Sequence, residues 1–230
     1  MNAIASPAAE GQHDRVTFEE LGDLPYADAL RAYDGPWKPA ETYDAIHVDG
    51  GTVTAIEAAR ARFLECAFTR VTVDGGTLRR ARLSDVWLRE ARLVAVDLAE
   101  SEWLDATLLD CVLAGTEAYG SDLRRVVFRG GKLDAVNFRD AALTDVRFEN
   151  CVLRGVDLSA ATLERVSFPG CRLSEVDLTG VALKKVDLRG AELDLVGGHE
   201  SLRGAVITTV QLLDLAPALA RSLGITVRDD

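Results

Sequence analysis

No stretch of this 230-residue chain approaches the roughly 18 consecutive apolar residues of a membrane-spanning helix. No charged start followed by an apolar run marks a secretory leader, so a cytoplasmic protein is expected. Histidine is scarce. His13, His47 and His199 stand in no ligand-like spacing with another His, Cys or carboxylate, which argues against a metal site. The glycine pairs at 50–51, 75–76, 130–131 and 197–198 are never followed by Lys-Ser/Thr. They are therefore not phosphate loops and read as corner glycines. No serine stands in a nucleophile elbow. Close Asp–Arg neighbours, such as Asp122 and Arg124, read as a solvated face rather than an acid–base pair. These absences predict a protein that is not an enzyme and carries no cofactor.

What is present is a period. From Val48 to Leu193 every fifth residue is apolar or nearly so, through Phe63, Phe68, Leu98, Phe128, Phe148 and Leu188. Neither a helix of period 3.6 nor a flat strand of period 2 keeps such a set on one face. A coil that turns a corner every five residues does. Two residues before each apolar centre stands a small or β-branched residue, such as Ala61, Cys66, Val96, Val146 and Val176. One large and one small inward side chain in each repeat fill a narrow interior. The small positions also recur at twenty, with Val126, Val146, Val166 and Val186 in one column and Ala81, Ser101, Ser121, Ala141 and Ala161 in another. Twenty residues in four repeats describe a four-sided turn. The fold expected is all-β, a right-handed quadrilateral parallel β-helix with a short C-terminal α-helical cap. Thirty repeats stacked at ~4.8 Å make a rod roughly 36 Å long.

Val96-Asp97-Leu98, Val136-Asn137-Phe138, Val156-Asp157-Leu158, Val176-Asp177-Leu178 and Val186-Asp187-Leu188 resemble the A(D/N)LXX motif of the pentapeptide-repeat family. The resemblance covers about 46–195, two thirds of the chain. It implies a non-catalytic protein that acts by binding macromolecules. Quinolone-resistance members imitate duplex DNA and bind type II topoisomerases such as DNA gyrase. The resemblance therefore implies a DNA mimic, and the alternative is a scaffold with another protein partner. Trp103 and Ala118 depart from the pattern at their centres, and Ala118 is expected to mark a weakened or bulged corner.

Three regions follow: 1–45 as an N-terminal extension, 46–204 as the coil and 205–230 as a C-terminal helical cap. Open coil ends expose strand edges and core, so both need covering. The first dozen residues are expected to be disordered, and a short helix or two is expected between Val16 and Tyr33, with Asp28–Ala32 its better part. The aromatics of the extension should lie on the first coil, or the extension is a partner-binding arm. Thr208 and Gln211 form a capping box for a helix ending near Leu223 and Gly224, kinked or divided at Pro217. Leu212, Leu215, Leu219 and Leu223 line one side of that helix. The family resemblance implies a two-fold dimer there, the alternative being a monomeric cap. Ile225–Val227 could add a strand to a partner's edge.

The four cysteines, Cys66, Cys111, Cys151 and Cys171, take small interior positions and read as buried hydrophobes. The net charge of −11 divides as −6 over 1–45, −4 over 46–195 and −1 over 196–230, so bases cancel most acids on the coil. B-DNA of the same length carries about 21 charges. One side alone is acidic, with Asp97, Glu117, Asn137, Asp157 and Asp177 in a row flanked by Glu100 and Asp140. That row is the candidate mimic face, or else corner hydrogen bonding explains it. Trp87, Leu109 and Val127 fall on outward positions of another side and form a candidate apolar partner patch, unless the N-terminal arm folds over them. Direct nucleic-acid binding is disfavoured by the negative charge and the lack of a basic stripe.

Overall fold

The computed structural model describes residues 18–228; the expectation of disorder for the first dozen residues lies outside them. The repeat winds into a β-solenoid in which the strands of each side pair in parallel with those one coil away. Phe128 is in register with Phe148, and Leu133 with Leu153. The first side is an eight-stranded sheet from Thr42–Asp44 to Ala182–Lys184. The second is seven-stranded, from Arg31–Ala32 to Arg147–Glu149. The third is eight-stranded, from Thr52–Glu57 to Glu192–Gly197. The fourth is held by single bridges joining Thr77, Asp97, Glu117, Asn137, Asp157 and Asp177 in turn.

The apolar centres and small residues form one continuous core. On the second side Phe128, Phe148 and Phe168 stack with centroids 4.8 and 5.0 Å apart and planes 8° and 2° from parallel. Trp103 fits its centre because its Nε1–H donates to the buried Ser101 hydroxyl at 2.8 Å. Ala118 does not bulge the coil. It is buried, the neighbouring bridge from Glu117 to Asn137 is in register, and the Gly120 amide donates to Arg139 O at 2.8 Å. The small centre leaves the backbone path untouched. A register shift occurs instead where Leu173–Asp177 meets Leu193–Gly197.

Corners recur at every fifth residue with positive φ, and many are not glycine: Ala135 has φ 51° and Asp145 has φ 56°. A left-handed conformation costs a non-glycine residue roughly 1–2 kcal/mol, offset here by ladder bonds such as Ala135 N to Arg154 O at 2.8 Å. Close approach, not φ alone, demands glycine at positions such as 76 and 131. A Cβ on Gly76 would lie 2.2 Å from the Ile56 backbone, and one on Gly131 would lie 2.6 Å from Cys111 O.

The four thiols are buried and reduced. Burial pushes Cys66 up to about 11 and Cys111 up to about 12. The adjacent Cys171 thiol and burial raise Cys151 as well. Cys66, Cys111 and Cys151 are therefore poor nucleophiles at neutral pH.

Candidate functional surfaces

The acidic row stands where the coil needs hydrogen-bond acceptors. The backbone amides of Ala99, Arg139, Ser159 and Thr179 donate to Oδ1 of Asp97, Asn137, Asp157 and Asp177 at 2.8–3.1 Å. Each side chain thus closes the turn that follows it. Glu117 closes no such turn and accepts from the Asn137 side-chain amide at 2.7 Å. Cations occupy part of the row. Arg79 lies 3.2 Å from Asp97 and 2.7 Å from Glu100, while also donating to the Tyr119 hydroxyl. Arg80 also reaches Glu100, and Arg139 lies 3.8 Å from Asp157. Asp140 is exposed at a corner.

Cross-coil ion pairs recur elsewhere at the twenty-residue interval. Arg125 meets Asp105 at 2.6 Å, Arg129 meets Glu149 at 2.6 Å and Arg154 meets Asp134 at 2.5 Å. Arg154 and Lys132 together hold the Asp134 carboxyl below the usual carboxylate range. The arginines are partly to largely solvent-exposed while their carboxylate partners are more covered, so the pairs contribute modest stability. Their consequence is electrostatic: carboxylates are neutralised where they stand.

The apolar patch on the second side is not free. Trp87 is 2 % exposed, and Leu109 and Val127 are also buried. The N-terminal segment lies across the patch. Leu24 joins Ala67, Trp87 and Leu109 in a separate apolar cluster, with Phe18, Leu21, Tyr26, Ala27 and Leu30 packed against it. Trp87 Nε1–H donates to Phe18 O at 2.9 Å, Arg89 pairs with Glu20 at 2.9 Å and Arg129 pairs with Glu19 at 2.9 Å. The anticipated helix is absent from this segment. It holds two single 3-10 turns, Leu21–Asp23 and Ala27–Ala29, and Asp28–Ala32 ends in a strand. Pro25 forces Leu24 into an extended conformation, with ψ 137°, and a draped chain covers more of the side than a helix would. Arg31–Ala32 then pairs with Ile46–His47 and closes that sheet's edge. Trp37 and Tyr43 lie on Phe63, with ring centroids 6.0 and 5.1 Å away.

At the other end one helix, α1, spans Thr209–Ser222. Its capping box is complete, with the Gln211 amide donating to Thr208 Oγ1 and the Thr208 amide donating to Gln211 Oε1. Pro217 does not divide α1; it is exposed, as is Leu213 four residues back, so water can serve the carbonyl whose helical donor is missing. The Gln211 side chain has a second task that the sequence did not signal. Its Nε2 donates to Leu188 O and Ala191 O at 2.7 and 2.8 Å, satisfying carbonyls at the coil's end. The leucine stripe divides. Leu215 is buried and Leu219 packs on the core, whereas Leu212 is 48 % and Leu223 is 70 % exposed. Val210, Leu213, Ile225 and Val227 are exposed beside them. These apolar side chains are left uncovered by the described residues.

The interior hollow near Trp37 is about 50 Å³ and is lined by apolar side chains such as Phe63, Phe68 and Leu83. Among the described residues, no group of three His, Cys, Asp or Glu could hold a metal ion. No helix among them is long and apolar enough to cross a membrane. The molecule is thus a capped quadrilateral β-solenoid.

Residues 121–196 match the family described as Pentapeptide repeat region, and residues 91–130 match Pentapeptide repeats (8 copies). Residues 91–196 thus carry pentapeptide repeats. It is similar to a pentapeptide repeat protein of the Arabidopsis thaliana thylakoid lumen, with 26% identity over 45% of this chain and 73% of that one and a TM-score of 0.40. It is also similar to full-length QnrB1, a plasmid-mediated fluoroquinolone resistance protein, with 14% identity over 80% and 100% of the two chains and a TM-score of 0.27. HetL of the cyanobacterium Nostoc sp. strain PCC 7120, involved in heterocyst differentiation regulation, shares 18% identity over 74% and 90%, with a TM-score of 0.23. With TM-scores below 0.5, none of these likenesses bears on what this chain does. Among curated proteins, none matches the chain.

Proposed function

We propose that this protein is a non-catalytic binding rod that pairs with a second copy through its C-terminal end and presents its sides to a protein partner. The observation that carries the reading is the apolar surface around Val210, Leu212, Leu213, Leu223, Ile225 and Val227. Exposed apolar side chains concentrated in one segment mark interaction sites, and pentapeptide-repeat proteins generally act through protein interactions. A two-fold axis at this end would place the two coils end to end. Light scattering after size exclusion is expected to report a dimer. Leu213→Asp should give a monomer with its melting temperature unchanged, because Leu213 projects away from the core. Leu215→Asp should lower the melting temperature instead, since that side chain seals the coil. A wild-type monomer at every concentration tested would refute the pairing.

A second reading is favoured by the carboxylates aligned on the fourth side at Asp97, Glu117, Asp157 and Asp177, with Glu100 and Asp140 beside them. In it the rod stands in for duplex DNA and modulates or protects a type II topoisomerase. The ion pairs of Arg79, Arg80 and Arg139 weaken that field. A gyrase supercoiling assay with and without a quinolone tests it, and no effect at micromolar protein would remove it.

A further inference from the structure

At the corner between the fourth and first sides, the cross-coil charge pattern fails. Arg62 is in register with Arg82 on the next strand, and Arg82 with Glu102. Arg60 likewise lies one coil from Arg80, its amide donating to Arg79 O at 2.8 Å. Arg80 and Arg82 have carboxylate partners: Arg80 meets Glu100 at 2.7 Å and Arg82 meets Glu102 at 3.1 Å. Arg60 and Arg62 have no ion pair among the described residues, and the register partner of Arg62 on its other side is the uncharged Thr42. The four guanidinium groups, with Glu100 and Glu102, line a groove of about 440 Å³.

Like charges in directly opposed strand positions destabilise a sheet. A chain with a net charge of −11 has ample acids to relieve this corner, yet the two that line it, Glu100 and Glu102, pair with Arg80 and Arg82, and among the described residues none pairs with Arg60 or Arg62. The two glutamates hold Arg80 and Arg82 from one side, which orients them and leaves Arg60 and Arg62 as free donors. Planar guanidinium groups from adjacent coils suit the oxygens of a phosphoryl group, which they bind through paired N–H bonds. We propose that this corner is an anion site for a phosphate-bearing ligand, with Arg60 and Arg62 as its principal donors and Arg80 and Arg82 as their prepositioned neighbours.

The test is calorimetric titration of the full chain with inorganic pyrophosphate at low ionic strength, with sodium chloride of equal ionic strength as control. Saturable one-site binding is expected, weakened at least about tenfold in the double variant Arg60→Gln/Arg62→Gln. It should persist in Arg172→Gln, which removes a distant arginine paired with Glu192. Without ligand, the double variant should melt no lower than the wild type, because it removes like-charge repulsion. That result would also establish that it folds. Sedimentation with phosphatidic acid vesicles, lost in the same double variant, would assign the phosphate to a lipid headgroup; its absence alongside pyrophosphate binding would assign a soluble ligand. No heat with pyrophosphate up to about 5 mM together with no vesicle binding would overturn the site. Undiminished binding by the double variant would overturn it too, as would binding of a polyglutamate peptide in place of pyrophosphate, which would make the corner a contact for acidic protein.

Discussion

Phe148→Ala should cost about 3–5 kcal/mol of stability, the range for deleting a fully buried aromatic side chain. Phe148 is 1 % exposed and is the middle ring of the stack that includes Phe128 and Phe168. Its removal loses two ring contacts at once, each worth about 0.5–1.5 kcal/mol beyond area burial. A solenoid's stability is close to a sum of repeat and nearest-neighbour terms. The loss should therefore weaken the coupling between the coils before and after residue 148 as well as the total. Urea unfolding followed by circular dichroism should show a lower midpoint and a broadened or two-step transition. Phe148→Leu, which nearly conserves volume, should cost less than about 1.5 kcal/mol. Equal midpoints for wild type and Phe148→Ala would refute the stacked interior.

Trp87→Ala should release the N-terminal segment while leaving the coil intact. The indole is the centre of the apolar cluster under Leu24, and its N–H holds Phe18 O. Truncating a buried tryptophan costs about 3–5 kcal/mol, and here the loss falls on a short segment with few other anchors. Those anchors are the surface ion pairs to Glu19 and Glu20, together with the two-residue strand Arg31–Ala32. Hydrogen exchange resolved by peptide should show protection lost over residues 20–32 and retained over 120–190. A release of this kind would also bare Leu109 and Val127, so the variant should bind more of a hydrophobic dye than the wild type. Unchanged protection over 20–32 would show that the tryptophan does not hold the segment.

The coil was legible because its information is local and repeated. Each centre, from Phe63 to Leu188, reports the same geometry, and one substitution such as Trp103 or Ala118 does not disturb the phase. The structure extends that phase one step earlier than the sequence pattern suggested, to Tyr43, which occupies a centre and stacks on Phe63. A tyrosine among scattered aromatics and prolines carried no sign of this. The covering of Trp87 by the N-terminal segment was one of two outcomes the pattern left open, without saying which residues would do it. The pattern assigns Trp87, Leu109 and Val127 to one outward side, but the residues that bury them lie far off in a segment without period, with Phe18 69 positions from its hydrogen-bond partner. The leucines of α1 divided unexpectedly for a similar reason. A stripe along a helix tells which residues share a side, whereas the width of the coil's end decides how many of them it can cover, and it covers Leu215 and part of Leu219. The acidic row is legible in the motif, but its use depended on backbone amides two residues ahead, which the motif alone could not separate from a recognition role.

The four-sided register has an inheritance rule built into it. Because partners stand twenty positions apart, loss or duplication of a complete circuit lengthens or shortens the spindle and preserves every ladder on its own side. Loss of a single five-residue step is not neutral in the same way. It rotates everything downstream by a quarter revolution, so that the C-terminal apolar end would point along a different compass bearing from the carboxylate row. Relatives of this molecule can therefore vary in reach freely, but a change in the angle between the apolar end and the carboxylate row requires insertions or deletions that are not whole circuits.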